Sequence, residues 1–325
     1  MKTQNLLTLS FLAVGVLALA SLKTTAAEPA GIFERENLAA WCIVPYDKLK
    51  RSPEQRAEML ERIHVRKFVY DYRGEHIPHW EEELQSLQRH GIELSGWMFN
   101  SNPDKLNATK LNTQSLGLLE MFERYKVKPQ LWVIKGGGPT TADSPEEQER
   151  RITTEVAALK PAAQAAQAYG LKLGLYNHGG WFGEPENQIE IIERLKKEGI
   201  QNLGIVYNQH WGHGHLNRFP QMLQKMVPYL MCLNLNGTDV AGPAKGRMLL
   251  PLGVGTEDVR LLKLIRDSGY RGMIGILNHS DEDAEDRLLD NMDGLEWAKK
   301  QLDGGAPNPR PSYRSWKADS LSVAP

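Results

Sequence analysis

The sequence predicts a single-domain α/β protein, a (β/α)8 TIM barrel, from two observations. Eight short apolar runs are rich in Val, Ile, Leu and aromatic residues and are bounded by Gly, Asn or Asp, as is typical of buried parallel strands. Helical patterns separate these runs, and eight strand–helix units in one chain of this size favour the barrel. The predicted strands are Leu38–Val44, Lys67–Asp71, Ile92–Phe99, Pro129–Ile134, Leu171–Tyr176, Leu203–Tyr207, Tyr229–Leu235 and Met273–Leu277.

An open doubly wound sheet would show the same alternation. Such a sheet commonly carries a Gly-rich dinucleotide loop after its first strand, and this sequence has none there.

The predicted barrel occupies residues 28–302, and the Gly- and Pro-rich residues 303–325 are predicted to form a flexible C-terminal tail.

The first 27 residues have the pattern of a secretory signal peptide. Lys2 precedes an apolar stretch from Leu6 to Leu22, and small residues lead to a predicted cut after Ala27. An uncleaved membrane anchor is the alternative, because the stretch approaches the length that spans a bilayer. We expect a secreted or periplasmic protein with no stable membrane association after cleavage.

Helix start signals support the alternation of strands and helices. Ser52-Pro53 and Ser144-Pro145 each place a capping residue before a proline at the first helical position. Glu147 lies three residues after Ser144, which is the spacing of a capping box. Apolar stripes then predict the core-facing sides of the fifth and last helices, at Ile189, Ile192, Leu195, Leu288, Met292 and Leu295.

Charge and cysteine content exclude some classes of function. The formal net charge is −1, whereas a nucleic-acid partner normally requires a basic face, so we expect no nucleic acid. The two cysteines, Cys42 and Cys232, lie inside apolar strand-like runs. They are predicted to be buried free thiols, with a disulfide between distant strands as the alternative.

The positions of the histidines indicate where a functional site lies. Five of the nine histidines lie in three short segments, and each segment directly follows a predicted strand. Active sites of such barrels lie at the carboxyl ends of the strands, and imidazole binds metals and moves protons near neutral pH. The convergence predicts His178, His210, His213 and His279 as catalytic residues.

Other polar and aromatic residues are predicted at the same strand ends. Lys135 precedes three glycines and is a further catalytic candidate, although the segment lacks a phosphate-loop pattern. Trp181, beside His178 and two glycines, would offer a flat platform to the apolar face of a sugar ring, or would instead cap the core. Asparagine amides both donate and accept hydrogen bonds, which suits a hydroxyl-rich ligand. The predicted substrate-binding residues are Asp71, Tyr176, Asn177, Trp181, Asn208, Asn234 and Asn236.

Three late segments carry a family resemblance: Leu230–Gly237, Pro251–Asp258 and Ser268–Gly272. With them, the region from Leu38 to about Leu302 resembles the xylose isomerase-like TIM barrels, a superfamily of sugar (phosphate) isomerases and epimerases. Two further segments are similar to an exported bacterial subgroup: Gly174–Glu184, with Y-N-H-G-G-W, and Val206–His215, with H-x-G-H.

The resemblance implies a divalent metal held by acidic residues and a histidine after strands five to eight. The positions that match here are Tyr176, Asn208, Asn234 and Asn278, and none of them is a strong metal ligand. Three outcomes remain open. A zinc, manganese or cobalt ion has moved to His178, His210 and His279, or the chain works without a metal, or it has lost catalysis.

The function that follows is that of an exported enzyme that removes a proton next to a carbonyl of a sugar, keto-sugar or keto-glycoside. Isomerisation, epimerisation and β-elimination all begin with this step, and all need a base and a group that stabilises the enediolate oxygen. A histidine would be the base, and a cation, Lys135 or asparagine amides would stabilise the oxygen. The alternatives are a metal-dependent phosphodiesterase and a barrel that only binds carbohydrate.

Overall fold

Eight parallel strands alternate with eight helices and close into a barrel in chain order. The computed structural model describes residues 31–302, 304 and 308–317, so the predicted signal peptide lies outside the described residues. Strand β1 pairs with both β2 and β8, which closes the sheet and confirms the predicted TIM barrel. The strands are β1 Leu38–Trp41, β2 Lys67–Tyr70, β3 Glu93–Met98, β4 Gln130–Lys135, β5 Leu173–Asn177, β6 Leu203–Asn208, β7 Leu230–Leu235 and β8 Met273–Leu277.

The main helices follow the strands one by one. Within the described residues, no helix is both long enough and apolar enough to cross a membrane. The helices are α1 Pro53–Arg62, α2 Trp80–Arg89, α3 Thr113–Tyr125, α4 Pro145–Ala168, α5 Pro185–Lys197, α6 Phe219–Met226, α7 Asp258–Asp267 and α8 Ala284–Leu302.

The two predicted helix starts form caps of different kinds. Ser52 and Gln55 exchange hydrogen bonds, so α1 has a complete capping box. Ser144 Oγ accepts from the Glu147 N–H at 3.2 Å, as its spacing predicts. The Glu147 carboxylate does not return that bond, because it binds Arg150 and Arg151 instead.

Two apolar layers organise the barrel. Side chains alternate across each strand, so one set fills the barrel interior and the other packs against the helices. In β4, Trp132 belongs to the interior layer, whereas Leu131 and Val133 pack in the outer layer. This alternation decides which residues at each strand end can face the mouth of the barrel.

The first strand is shorter than predicted. It ends at Trp41 rather than Val44, because Cys42 has a left-handed backbone conformation with φ 61°. A non-glycine residue in this region is uncommon and often lies at a functional site. Cys42 and Cys232 are both buried and free, which confirms the prediction for the two thiols.

Part of the predicted flexible tail contacts the barrel. The Tyr313 hydroxyl donates to the Leu252 carbonyl at 2.9 Å. The Arg314 and Ser315 backbone N–H groups donate to the buried Asp290 carboxylate on α8, at 2.8 and 2.7 Å. Residues 308–317 therefore include a segment that packs against α8 and against the loop after β7.

A close approach of two backbones leaves no room for a side chain at Gly294 in α8 unless one of them shifts. A Cβ at this position would lie 1.7 Å from the Leu252 carbonyl oxygen. We therefore expect Gly294→Ala to lower the free energy of unfolding by about 1–3 kcal/mol, measured by urea unfolding. Gly117 is the control, because it lies in α3 with nothing within 4 Å of its Cβ position. Gly117→Ala should stabilise the protein by up to about 1 kcal/mol. Equal effects of the two substitutions would contradict this account.

Candidate functional site

A cavity of about 330 Å³ opens at the carboxyl ends of the strands. This is the end of the barrel at which enzymes with this fold carry their chemistry. Its volume is at the low end of the range of small-molecule sites. Polar and aromatic side chains line the cavity at or after the ends of β1, β2, β5, β6 and β8. They are Trp41, Cys42, Tyr46, Asp71, Arg73, Tyr176, His178, Asn208, Trp211 and His279.

Asp71, the residue after β2, is the carboxylate of this cavity. Its side chain is buried, with 2% of its surface exposed. Oδ1 accepts from the Val44 N–H at 3.4 Å, while Oδ2 has no partner among the described residues. Burial raises the pKa of Asp71 to about 7, and the charge of Arg73 acts in the opposite direction. A carboxyl group with this pKa and a free oxygen is suited to accept or donate a proton near neutral pH.

Two of the predicted histidines line the cavity. The His279 ring lies 4.0 Å from the Tyr46 ring, and the His178 ring lies 4.4 Å from the Trp211 ring. Burial lowers the pKa of both imidazoles. Both rings are therefore mostly neutral at pH 7 and can accept a proton.

The other two predicted histidines lie behind the cavity wall. His210 is buried, and its ring lies 5.0 Å from Trp211 and 5.3 Å from His279. Burial lowers the pKa of His210 to about 4, and the neighbouring His279 adds to the effect. His213 Nε2 lies 3.1 Å from the Met248 carbonyl oxygen, so this ring holds the loop after β7. Neither His210 nor His213 is part of the cavity lining.

Two of the predicted sugar contacts line the cavity with Asp71. Tyr176 and Asn208 are hydrogen-bonded to each other, and the Tyr176 hydroxyl also accepts from Trp41 Nε1 at 3.2 Å. The Asn208 Oδ1 accepts from the His210 N–H at 3.1 Å and thereby fixes the turn after β6.

The other three predicted asparagines are buried outside the cavity lining. The Asn177 amide bridges β5 to the backbone of Asn208, with contacts of 3.2 and 2.6 Å. The Asn234 Oδ1 accepts from the Cys232 thiol at 3.5 Å. The Asn236 Nδ2 donates to the Gly237 carbonyl at 2.8 Å. Their hydrogen bonds position backbone and neighbouring side chains.

Lys135 and Trp181 lie together in a different pocket, of about 260 Å³. The Lys135 ammonium binds Glu155 of α4 at 2.5 Å, on the helix side of the sheet. Trp181 is buried, and its Nε1 donates to Gln148 at 2.6 Å. The structure therefore does not bring these two residues to the cavity that holds Asp71, His178 and His279.

Arg73 and Trp211 line the cavity, although neither was assigned a catalytic or binding role from the sequence. Arg73 donates to the Tyr72 carbonyl at 2.9 Å, and its guanidinium lies 5.6 Å from the centre of the Tyr46 ring. Trp211 supplies the aromatic wall that Trp181 was predicted to supply. The signal for Trp211 is its position between His210 and His213, two of the four predicted catalytic histidines.

The donor set at the expected metal positions does not fit a divalent ion. Tyr176, Asn208, Asn234 and Asn278 include no carboxylate, imidazole or thiolate. Asn278 also donates its amide to the Tyr46 carbonyl at 3.2 Å. Among the described residues, the only three His, Cys, Asp or Glu side chains with ligand atoms within 4.8 Å of one another are Glu54, Glu58 and His90, of which Glu58 is exposed. His178, His210 and His279 do not form such a group, and neither Glu54, Glu58 nor His90 lines the cavity.

Solved structures share the fold at low sequence identity. The apo form of 3-keto-D-glucoside 4-epimerase, YcjR, from E. coli matches with a TM-score of 0.57 and 14% identity, over 81% of this chain and 99% of that chain. The IolI protein with a bound zinc atom matches with a TM-score of 0.61 and 16% identity, over 82% and 99%. The probable 3-DHS dehydratase AsbF from Bacillus anthracis matches with a TM-score of 0.58 and 13% identity, over 80% and 98%.

Sequence comparison identifies the family. No curated protein matches the chain significantly. A family model described as the xylose isomerase-like TIM barrel matches residues 53–301, which is more than half of the chain. The closed eight-stranded barrel agrees with that match. This chain therefore belongs to the xylose isomerase-like TIM barrel family.

Proposed function

We propose that this protein is a sugar-modifying enzyme that removes a proton next to a carbonyl of a keto-sugar or keto-glycoside. One observation carries the proposal: a single cavity gathers Asp71, Arg73, His178 and His279 between aromatic walls. Isomerisation, epimerisation and β-elimination share this first step. The epimerase and dehydratase among the similar structures support a reaction of this kind.

In the proposed step, the Asp71 carboxylate takes the proton from the carbon next to the carbonyl. The C–H electron pair forms a C=C bond, and the carbonyl π electrons move to oxygen, which gives an enediolate. Arg73 lines the same cavity, and its positive charge stabilises that oxygen. In isomerisation and epimerisation a proton is then returned to carbon and the carbonyl re-forms. In β-elimination the enediolate re-forms the carbonyl, a C=C bond forms to the β carbon, the C–O bond there breaks with its electron pair, and the leaving oxygen takes the proton. His178 and His279, which are neutral near pH 7, relay protons between the cavity and Asp71.

The walls of the cavity suit a sugar ring. Trp211 and Tyr46 offer aromatic surface to the apolar face of the ring, and the hydrogen-bonded pair Tyr176 and Asn208 offers polar atoms to its hydroxyls. Aromatic surface combined with a few fixed polar groups is the usual composition of a small-molecule site.

The proposed step uses groups of the chain itself. The IolI structure contains a bound zinc atom. In this chain the matched positions are neutral, and the catalytic charges belong to Asp71 and Arg73. A zinc, manganese or cobalt ion on His178, His210 and His279 stays a prediction from the sequence.

Proton exchange tests the proposal directly. Incubation with a 3-keto-glucoside in D₂O should place deuterium at a carbon next to the carbonyl, detected by mass spectrometry and NMR. The unoxidised glucoside is the control, because it lacks the acidic C–H bond. We expect exchange to persist after chelation and dialysis. Binding of the keto-glucoside without exchange would instead support the barrel that only binds carbohydrate, and loss of exchange on chelation would contradict a step carried by the chain's own groups.

A further inference from the structure

A second open space adjoins the cavity and shares one wall with it. This space, the Trp211 groove, has a volume of about 540 Å³ and is lined by Trp211 together with Thr140, Thr141, Gly179, Glu184, Gly214 and Arg218. Trp211 also lines the cavity that holds Asp71. The two spaces therefore meet at one indole ring.

The Trp211 ring is held between the two spaces. His178 and His210 contact it, at ring distances of 4.4 and 5.0 Å. Gly179 lies on the groove lining with φ 75°, and a Cβ there would lie 3.1 Å from the Trp211 ring. A glycine at this position lets the backbone pass close to the indole, so the ring keeps its place.

The polar groups of the groove are fixed and balanced in charge. His215 is held by the Tyr207 hydroxyl at 2.9 Å and lies 3.3 Å from Glu184. Arg218 binds both Glu184 and Glu186. Because the guanidinium is paired with carboxylates, the groove offers hydrogen bonds to a neutral ligand rather than a free positive charge to an anion. The exposed Thr140 and Thr141 hydroxyls add donors and acceptors.

From this arrangement we infer that the Trp211 groove binds a second sugar ring, so that the substrate is a glycoside of two or more rings rather than a free monosaccharide. The inference rests on the proposed function, because it takes the ring in the cavity to be the one that carries the carbonyl. An aromatic ring shared by two adjoining spaces, each of which also carries fixed polar groups, suits two sugar rings joined by one glycosidic bond.

Gly214 is a position at which a bulky side chain can be introduced to fill the groove. It lies on the groove lining, is exposed, and has nothing within 4 Å of its Cβ position. Gly214→Trp should therefore occupy the groove without a clash at the backbone. Gly117→Trp is the matched control, because Gly117 is also exposed with nothing within 4 Å of its Cβ position and lies on α3.

The experiment measures binding by calorimetry with 3-keto-glucose and with a set of 3-keto disaccharides of different linkages. In the unmodified protein we expect at least one disaccharide to bind ten times more tightly than 3-keto-glucose. Gly214→Trp should remove that advantage and leave the Kd of 3-keto-glucose within twofold, while Gly117→Trp should change neither value. Circular dichroism and thermal unfolding check that both variants fold.

The outcomes separate this inference from the proposed function. If no disaccharide binds more tightly than 3-keto-glucose, or if Gly214→Trp weakens both ligands equally, the second-ring site is wrong even where proton exchange is seen. If the disaccharide advantage depends on Gly214 but no ligand exchanges a proton, the groove stands and proton abstraction is wrong. If no keto-sugar binds at all, both are wrong.

Discussion

Asp71→Asn should lower kcat for proton exchange by about 10²–10⁴-fold, the usual range for the loss of a general base. Asparagine keeps the shape of the buried side chain but cannot accept the substrate proton. The measurement is the initial rate of deuterium incorporation into a 3-keto-glucoside. Asp267→Asn is the matched control: Asp267 ends α7, where it pairs with Lys263, so the same substitution there should leave the rate unchanged. Full activity of Asp71→Asn would show that another group removes the proton.

The pH profile gives a second readout of the same residue. Because burial raises the pKa of Asp71 to about 7, the reactive carboxylate forms as pH rises through that value. The rate of the unmodified protein should therefore increase with pH and level off above about 7. The residual rate of Asp71→Asn should lack this step. A profile that falls through pH 7 would instead make Asp71 the proton donor.

Stability should change in the opposite direction to activity. The pKa of Asp71 is higher in the folded protein than in the unfolded chain, where it is about 3.9. The stability contributed by protonated Asp71 is therefore fully present below pH 3.9 and is lost as pH rises through about 7. Asn is neutral at every pH, so Asp71→Asn should unfold at a higher denaturant concentration than the unmodified protein above pH 7. This outcome would separate loss of chemistry from loss of fold.

The barrel could be predicted from the sequence because buried parallel strands and their helices leave strong local patterns. All eight predicted strands form, and the bounds of β8 are those predicted. The end of β1 could not be predicted, since nothing local in a cysteine indicates the left-handed conformation of Cys42.

The sequence predicts that polar side chains gather at the carboxyl ends of the strands, and a cavity lies there, but it does not predict which of those side chains line the cavity. Polar residues near a strand end do not all face the mouth of the barrel, because side chains alternate along each strand. Ile134 lines the cavity, so its neighbour Lys135 must project to the helix side, where it meets Glu155. The same rule separates Tyr176, which lines the cavity, from Asn177, which does not. Trp211 lies beyond the strand, in a turn whose direction is set by Asn208, and strand alternation carries no information about it.

The largest stability effect is expected at a buried ion pair between the first two helices. Arg56 of α1 and Glu83 of α2 form two hydrogen bonds of 3.1 and 3.0 Å, and their side chains are 4% and 0% exposed. Glu83→Leu leaves the guanidinium buried without its carboxylate, so the free energy of unfolding should fall by about 3–5 kcal/mol, measured by urea unfolding. The double variant Arg56→Met with Glu83→Leu should recover most of this loss. A double variant as unstable as Glu83→Leu would show that packing, rather than an unpaired charge, causes the effect.

This ion pair also links the outer helices to the chemistry of the cavity. The positive charge of Arg56 acts to lower the pKa of Asp71, against the larger effect of burial. When Arg56 is replaced by Met in the double variant, that carboxylate loses a favourable charge, and the pKa of Asp71 should rise. The midpoint of the rate profile should therefore move to higher pH, while the rate reached at high pH stays close to that of the unmodified protein. An unchanged midpoint in a stable double variant would contradict this effect of the Arg56 charge on the pKa of Asp71.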